Sequence, residues 1–123
     1  MTNSRTTELP LAYSCSGCSN IAQLANRVAV ELDRDGIAEM SCIAGVGGGV
    51  EPLVKKAKSG RRIISLDGCA LLCVKRCLAQ QEIDPTFEYT LTDFGIKKQA
   101  HTDFLDSDVD VVKTRVIADI NSN

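Results

Sequence analysis

The chain has 123 residues and a net charge of −2, with 44% apolar and 24% charged residues. This length suits one domain with a real core, and the composition is that of an ordinary globular protein. The near-neutral charge and the lack of a basic stripe with interleaved aromatic residues argue against a nucleic-acid-binding surface. No apolar run approaches the roughly 18 residues that a membrane-spanning helix needs.

The start of the chain is polar. Residues 1–8 lack the apolar segment of a secretory signal peptide, so we expect a cytoplasmic protein that makes no membrane contact. We expect residues 1–9 to form a disordered leader and residues 10–123 to form a single domain.

Hydrophobic patterning along the chain alternates between strands and helices. A first apolar run precedes the most regular helix, which Ser16 or Ser19 can cap and Gly36 ends. Val and Ile residues at helical spacing predict another helix in the tail, capped by Asp106 or Ser107. Predicted strands cover residues 10–14, 37–43, 62–66 and 87–92, and two further helices cover residues 52–59 and 69–81.

Three consecutive strand–turn–helix units imply a parallel sheet with right-handed crossovers. The sequence therefore predicts a single three-layer α/β domain, Rossmann-like, with a mainly parallel four-stranded sheet. In such sheets, ligands bind at the carboxyl ends of the strands. We expect the functional site at that edge.

The six cysteines are the main candidates for chemistry. In a reducing compartment, cysteines placed like these indicate metal ligands or redox thiols rather than structural disulfides. Cys15, Cys42 and Cys69 each lie at the end of a different predicted strand, so the parallel sheet should gather them at one edge. Cys73 and Cys77 continue from Cys69 at four-residue spacing, which predicts three sulfurs on one helix face with Cys69 in the first turn.

Four thiolates arranged tetrahedrally form a closed site suited to zinc. The least strained ligand set is Cys15, Cys42, Cys69 and Cys73. Cys18 and Cys77 either pack beneath this site or bind a second metal ion or an iron–sulfur cluster. The glycine-rich turn at residues 44–49 should let the backbone approach the thiolates closely, and Asp67 should cap the third helix.

A different function competes with metal binding. Cys15-Ser16-Gly17-Cys18, between a strand and a helix, also suits a thiol–disulfide redox site of the thioredoxin type. Such a site needs a cis proline beside it, for which Pro85 is the candidate. The redox hypothesis leaves the other four cysteines unexplained. No Ser/His/Asp set or acid pair beside a histidine indicates hydrolysis, so we expect binding or carriage of metal rather than turnover of a substrate.

Three segments of the chain resemble one known family. They are 13–17 (YSCSG), 41–48 (SCIAGVGG) and 64–76 (ISLDGCALLCVKR), and together they are similar to the DGC domain family, named after the turn that here is Asp67-Gly68-Cys69. The likeness spans roughly residues 11–97. Family members are described as candidate zinc-binding proteins with four chelating cysteines. The resemblance implies that Cys15, Cys42, Cys69 and Cys73 are those ligands here, and it implies no reaction.

Overall fold

The computed structural model describes residues 9–122. The predicted leader therefore lies outside the described residues except for Leu9. The strands are β1 (Leu11–Ser14), β2 (Glu39–Met40), β3 (Ile63–Asp67) and β4 (Phe87–Thr90). The helices are α1 (Asn20–Arg34), α2 (Ile43–Gly47), α3 (Glu51–Ala57), α4 (Cys73–Gln80) and α5 (Asp106–Asn121), with a 3-10 turn at Leu91–Phe94.

The four strands form one sheet in the order β2-β1-β3-β4, and every neighbouring pair is parallel. Leu11 pairs with Ile63 and Ser14 with Leu66, so β1 and β3 run side by side in the centre of the sheet. The chain leaves this central pair in opposite directions, towards β2 from β1 and towards β4 from β3. The gap between the carboxyl ends of β1 and β3 is thus the switch point where α/β sheets bind ligands. The predicted parallel α/β fold is confirmed.

Helices cover both faces of the sheet. α1 packs on β1, β2 and β3 and also contacts α5, whereas α4 packs on β3 and contacts α2. Right-handed crossovers place the connections on opposite faces because β2 and β4 lie on opposite sides of the central pair. Every residue of β1 and β3 is buried, which is the pattern of strands sandwiched between two helical layers.

Local signals fix the ends of α1. The Ser19 side chain accepts a hydrogen bond from the Ala22 N–H at 3.1 Å, which confirms the predicted cap. Gly36 follows the helix at φ 73, a left-handed conformation that glycine adopts without steric cost. Between these ends, the apolar face of α1 buries Ile21, Leu24, Val28 and Leu32.

The prediction of a helix from Cys69 to residue 81 is wrong at its start. Helix α4 begins at Cys73, because Leu72 adopts a left-handed conformation (φ 54, ψ 47) and its N–H bonds to the Cys69 carbonyl. Cys69 therefore lies in a turn, and Cys73 holds the first helical position. Asp67 sets this start, since its carboxylate accepts from the N–H groups of Val74 and Lys75.

Other element boundaries also differ from the prediction. β2 has two residues instead of seven, and part of the predicted glycine turn is the short helix α2. The tail helix is confirmed, but Leu105 occupies its N-cap position and makes no side-chain cap. The peptide bond before Pro85 is trans, as are the others in the described residues. Within the same part of the chain, no helix combines the length and apolarity required to cross a membrane.

Candidate functional site

A small cavity lies at the switch point, between the loop that follows β1 and the turn that follows β3. Its volume is about 130 Å³. Four of the six cysteines line it, together with Gly68, Leu71 and Lys98 among others. These cysteines are Cys15, Cys18, Cys69 and Cys73. We call this the cysteine cavity. It brings together cysteines that are up to 58 positions apart in sequence, from Cys15 to Cys73.

Cys15 is the most buried of the four thiols, with 9% of its surface exposed. Its sulfur accepts a hydrogen bond from the Gly68 N–H at 3.2 Å, which ties the end of β1 to the turn after β3. Burial raises the pKa of the Cys15 thiol, and the Gly68 hydrogen bond only partly opposes this rise. This environment disfavours ionisation of the Cys15 thiol to a thiolate. A bound cation would stabilise the thiolate and so favour ionisation.

Cys69 and Cys73 enter the cavity from opposite ends of the turn between β3 and α4. Cys69 is half-buried, and Lys98 Nζ donates to its sulfur at 3.4 Å. Cys73 is exposed at the first position of α4, where the helix dipole favours an anion. The sequence prediction assigned that helix-start position to Cys69, four residues too early.

Cys42 and Cys77 do not line the cysteine cavity. Cys42 was predicted at the end of the second strand, but β2 ends at Met40, and Cys42 is the exposed N-cap residue of α2. Cys77 projects from α4 towards Gly47, since a Cβ added at Gly47 would lie 2.8 Å from its sulfur. Burial raises the pKa of the Cys77 thiol, with the nearby Cys73 and Asp67 adding to the rise. The glycine segment thus approaches Cys77, outside the cavity, rather than the four thiols that line it.

The donor set of the cavity fits a thiophilic metal ion by its chemistry. Four thiols face one space without a competing carboxylate or imidazole among its lining residues. A volume of about 130 Å³ is small for a metabolite, because pockets for such ligands usually measure roughly 300 Å³ or more. Within residues 9–122, however, no three or more Cys, His, Asp or Glu side chains form a group that could hold a metal ion. The ligand set predicted from the sequence stays a prediction.

Lys98 and Asn20 belong to the surroundings of the site, and the sequence analysis missed both. Lys98 lies 29 positions after Cys69 in a segment without regular structure, so no local pattern connects the two. Asn20 bonds to Lys97 and Gln99 over 77 and 79 positions. A single sequence carries no signal for contacts of this range. His101, the lone histidine, is exposed, and its backbone N–H donates to the Cys18 carbonyl at 2.9 Å.

Comparisons with known proteins agree with the resemblance seen in the sequence. The model of the DGC domain matches residues 11–116. The protein named "Anaerobic and virulence modulator AnvM" from Pseudomonas aeruginosa is 63% identical over 91 residues, which cover 74% of this chain and 70% of that protein. No solved structure gives a significant match. The family match spans most of the chain and includes all six cysteines, so the chain belongs to the DGC domain family.

Proposed function

We propose that this protein binds a thiophilic metal ion, Zn²⁺ in the first instance, through thiolates of the cysteine cavity. The observation that carries the proposal is the convergence of four cysteines on one small space at the switch point of the sheet. Thiolate ligands select zinc and other soft ions over magnesium or calcium. When bound, the ion would supply a cross-link between the loop after β1 and the turn after β3.

The ligands that the cavity favours are the four cysteines that line it. Cys15, Cys69 and Cys73 are common to this set and to the set predicted from the sequence, so the two sets differ only in whether Cys18 or Cys42 is the fourth ligand. Binding requires the two loops to draw together, because no group of three donors is in place in the described residues. The loop after β1 is suited to this change, since it contains the exposed Gly17.

The proposed role is regulatory rather than enzymatic. The similar protein AnvM is named as a modulator, and we extend that kind of role to this chain. The cavity supports this reading, since it holds thiols and one lysine but no acid–base pair for turnover of a substrate. A metal-dependent change in the two loops would alter the surface around Leu71, which is 61% exposed at the edge of the cavity.

One observation favours a second function, thiol–disulfide exchange. Cys15 and Cys18 line the same cavity and are separated by two residues. Two others oppose it. Burial raises the pKa of the Cys15 thiol, which disfavours the thiolate that such exchange needs. Pro85 does not supply a cis proline. We therefore rank this function below metal binding.

The test is metal analysis of the full chain purified without oxygen. Mass-spectrometric metal analysis, an absorbance spectrum and a thiol count before and after treatment with a chelator would be recorded on the same sample. We expect a colourless protein with one equivalent of zinc, and four additional reactive thiols once the zinc is removed. Protein that contains no zinc and cannot be loaded with it would overturn the proposal.

Two other results would each point to one alternative. Iron with broad visible absorbance would replace zinc by an iron–sulfur cluster in the same thiol site. A metal-free protein with a reversible disulfide between Cys15 and Cys18 would establish the redox function instead. Mass mapping of alkylated peptides identifies that pair directly, because the six cysteines are otherwise free thiols.

A further inference from the structure

Residues 97–101 are bound along the loop that carries Cys18. The His101 N–H donates to the Cys18 carbonyl at 2.9 Å, and the Asn20 N–H donates to the Gln99 carbonyl at 3.0 Å. Between these bonds, Ser19 and Ala100 form an isolated antiparallel bridge. We call residues 97–101 the strap. It is exposed along its length, so these polar bonds rather than apolar burial hold it in place.

The side chain of Asn20 makes two further hydrogen bonds to the strap. Asn20 is 8% exposed, and its Nδ2 donates to the Lys97 carbonyl at 3.0 Å. Its Oδ1 accepts from the Gln99 N–H at 2.7 Å. Both ends of the amide are therefore bonded to the two residues that flank Lys98. This fixes the backbone from which Lys98 projects.

The lining residues of the cysteine cavity include Lys98 and no other lysine, arginine, histidine or carboxylate side chain. The Lys98 Nζ reaches the Cys69 sulfur at 3.4 Å. Lys97, its neighbour, is also exposed but lines a different cavity, next to α5. The strap thus directs one of two adjacent cations to the thiols.

From this geometry we infer that Lys98 is a positioning residue that compensates the charge of the metal site, an inference that rests on the proposed function. Zinc bound by four thiolates carries two net negative charges. An ammonium group beside one ligand sulfur offsets part of this charge and donates to the sulfur. Outer partners of metal ligands orient the ligands and tune metal affinity in this way. Asn20 and the strap hold the ammonium in position.

The experiment compares three variants of the full chain by zinc affinity, measured without oxygen in competition with a chromophoric chelator. Lys98→Met should weaken zinc binding roughly tenfold, the lower end of the effect expected for an outer partner of a metal ligand. Lys98→Arg keeps the charge and should stay within about threefold of the wild type. Lys97→Met removes the same charge from the same strap and should leave zinc affinity unchanged.

A spectroscopic readout separates charge compensation from a general loss of structure. With Co²⁺ as the probe, Lys98→Met should shift the thiolate-to-cobalt charge-transfer band, whereas Lys97→Met should not. Unfolding of the metal-free variants by urea should match the wild type, because the Lys98 side chain is exposed and the hydrogen bonds of Asn20 to Lys97 and Gln99 stay intact. In an Asn20→Ala background, the strap loses its hydrogen bonds to the Asn20 side chain. Adding Lys98→Met to this background should then weaken zinc binding by less than a further threefold.

The outcomes for the inference and for the proposed function are distinct. If the wild type binds zinc and Lys98→Met weakens it no more than Lys97→Met does, the inference about Lys98 is overturned and the zinc site remains. If the wild type does not bind zinc at all, the proposed function fails. Loss of affinity in Lys98→Met with recovery in Lys98→Arg supports both.

Discussion

The Asp67 carboxylate accepts a hydrogen bond from the Val74 N–H at 2.7 Å, across the turn that joins β3 to α4. Its second oxygen accepts from the Lys75 N–H at 3.2 Å. Asp67 is only 2% exposed, and it performs the capping function that Leu72, at the N-cap position, cannot perform. The Asp-Gly-Cys turn therefore sets the start of α4, and so the position of Cys73.

Asp67→Ala should lower the free energy of unfolding by about 2 kcal/mol, because the buried Val74 N–H and the partly buried Lys75 N–H lose their acceptor. Asp67→Asn should cost about 1 kcal/mol or less, since the amide oxygen can still accept from one N–H and no charge is buried. Burial raises the pKa of Asp67, although the two hydrogen bonds oppose this rise. Because the site disfavours the charged carboxylate, the neutral amide of Asn should destabilise the protein only slightly. Urea denaturation of the metal-free protein measures both values.

Asp84→Asn is the matched control for the Asp67 variants. Asp84 is exposed in the loop before β4, and its substitution should change stability by less than about 0.5 kcal/mol. Equal effects at both positions would show that Asp67 contributes no more than a surface carboxylate. Circular dichroism would separately report whether α4 loses helix content in Asp67→Ala.

Gly68, the second residue of the turn, is required by close packing. A Cβ at Gly68 would lie 3.0 Å from the Ile21 Cγ2 and 3.1 Å from the Ile21 carbonyl, at the start of α1. The Gly68 N–H also points at the Cys15 sulfur. The turn thus joins the two central strands and the first helix directly at the cysteine cavity.

The identity of the fourth zinc ligand separates the cavity set from the set predicted from the sequence. Cys18→Ser should weaken zinc binding by at least about 100-fold, because one of four thiolates is lost from a closed site. Cys42→Ser should leave the affinity within about threefold of the wild type, since Cys42 does not line the cavity. Competition with a chromophoric chelator under anaerobic conditions measures both.

The reverse pattern would restore the sequence-based set. Strong loss in Cys42→Ser with little change in Cys18→Ser would mean that the loop after β2 moves to the cavity when metal binds. Cys15→Ser is the common reference. Both ligand sets include Cys15, so both predict a large loss of zinc affinity in this variant.

Glu39 provides a pH-dependent test of how the short strand β2 is held. Its burial opposes ionisation, but hydrogen bonds from Lys56 and Arg61 outweigh this and hold the pKa of Glu39 below its ordinary value of 4.5. Arg61 Nη1 lies 2.9 Å from Glu39 Oε1. Because the folded pKa is lower than the unfolded one, the unfolded chain binds more protons as the pH falls. This stabilisation is therefore full above pH 4.5 and disappears as the pH falls through the folded pKa.

Glu39→Gln should accordingly lower the free energy of unfolding by about 1 kcal/mol at pH 7. The effect is small because the ion pairs of Glu39 with Lys56 and Arg61 are partly solvated. The difference from the wild type should shrink as the pH falls below 4.5. Urea denaturation from pH 7 to pH 3 measures it. A difference that stays constant over this range would show that the carboxylate charge is not responsible, and Glu82→Gln, at an exposed position, is the control.

The sequence predicted the fold well because its signals are local. Strand runs, the Ser19 cap and Gly36 each depend on residues within a few positions of one another, and the parallel order follows from their alternation. The start of α4 was predicted wrongly because it depends on Asp67 bonding to Val74, seven positions later, and on Leu72 adopting a left-handed conformation. Nothing in residues 69–81 alone signals that turn.

The candidate site was predictable only as far as the topology determines it. Strand order places Cys15 and Cys69 at one edge, and the cavity includes both. The choice between Cys18 and Cys42 depends on loop paths, and the approach of Lys98 depends on the strap bonded to Asn20. The bonds of Asn20 join residues that are 77 and 79 positions apart in sequence. Hydrophobic periodicity and residue propensity describe only local structure, so they do not predict such contacts.

The glycine segment allows one further prediction, because its two inward-facing glycines meet different neighbours. A Cβ at Gly47 would lie 2.8 Å from the Cys77 sulfur, and one at Gly45 would lie 2.0 Å from Leu53 Cδ1. Gly47→Ala should therefore lower the free energy of unfolding by about 1 kcal/mol, since the Cys77 side chain must turn away. In a Cys77→Ala background the same substitution should be nearly neutral, because the sulfur is gone and alanine favours the helix.

Gly45→Ala is the matched control for this cycle. Its clash is with Leu53, so it should destabilise the protein equally with or without Cys77→Ala. A coupling of about 1 kcal/mol between positions 47 and 77, and none between 45 and 77, is the expected result from urea denaturation. Because Cys77 lies outside the cysteine cavity, zinc affinity should not change in Cys77→Ala. A loss of zinc there would instead make Cys77 a ligand and move the proposed site along α4.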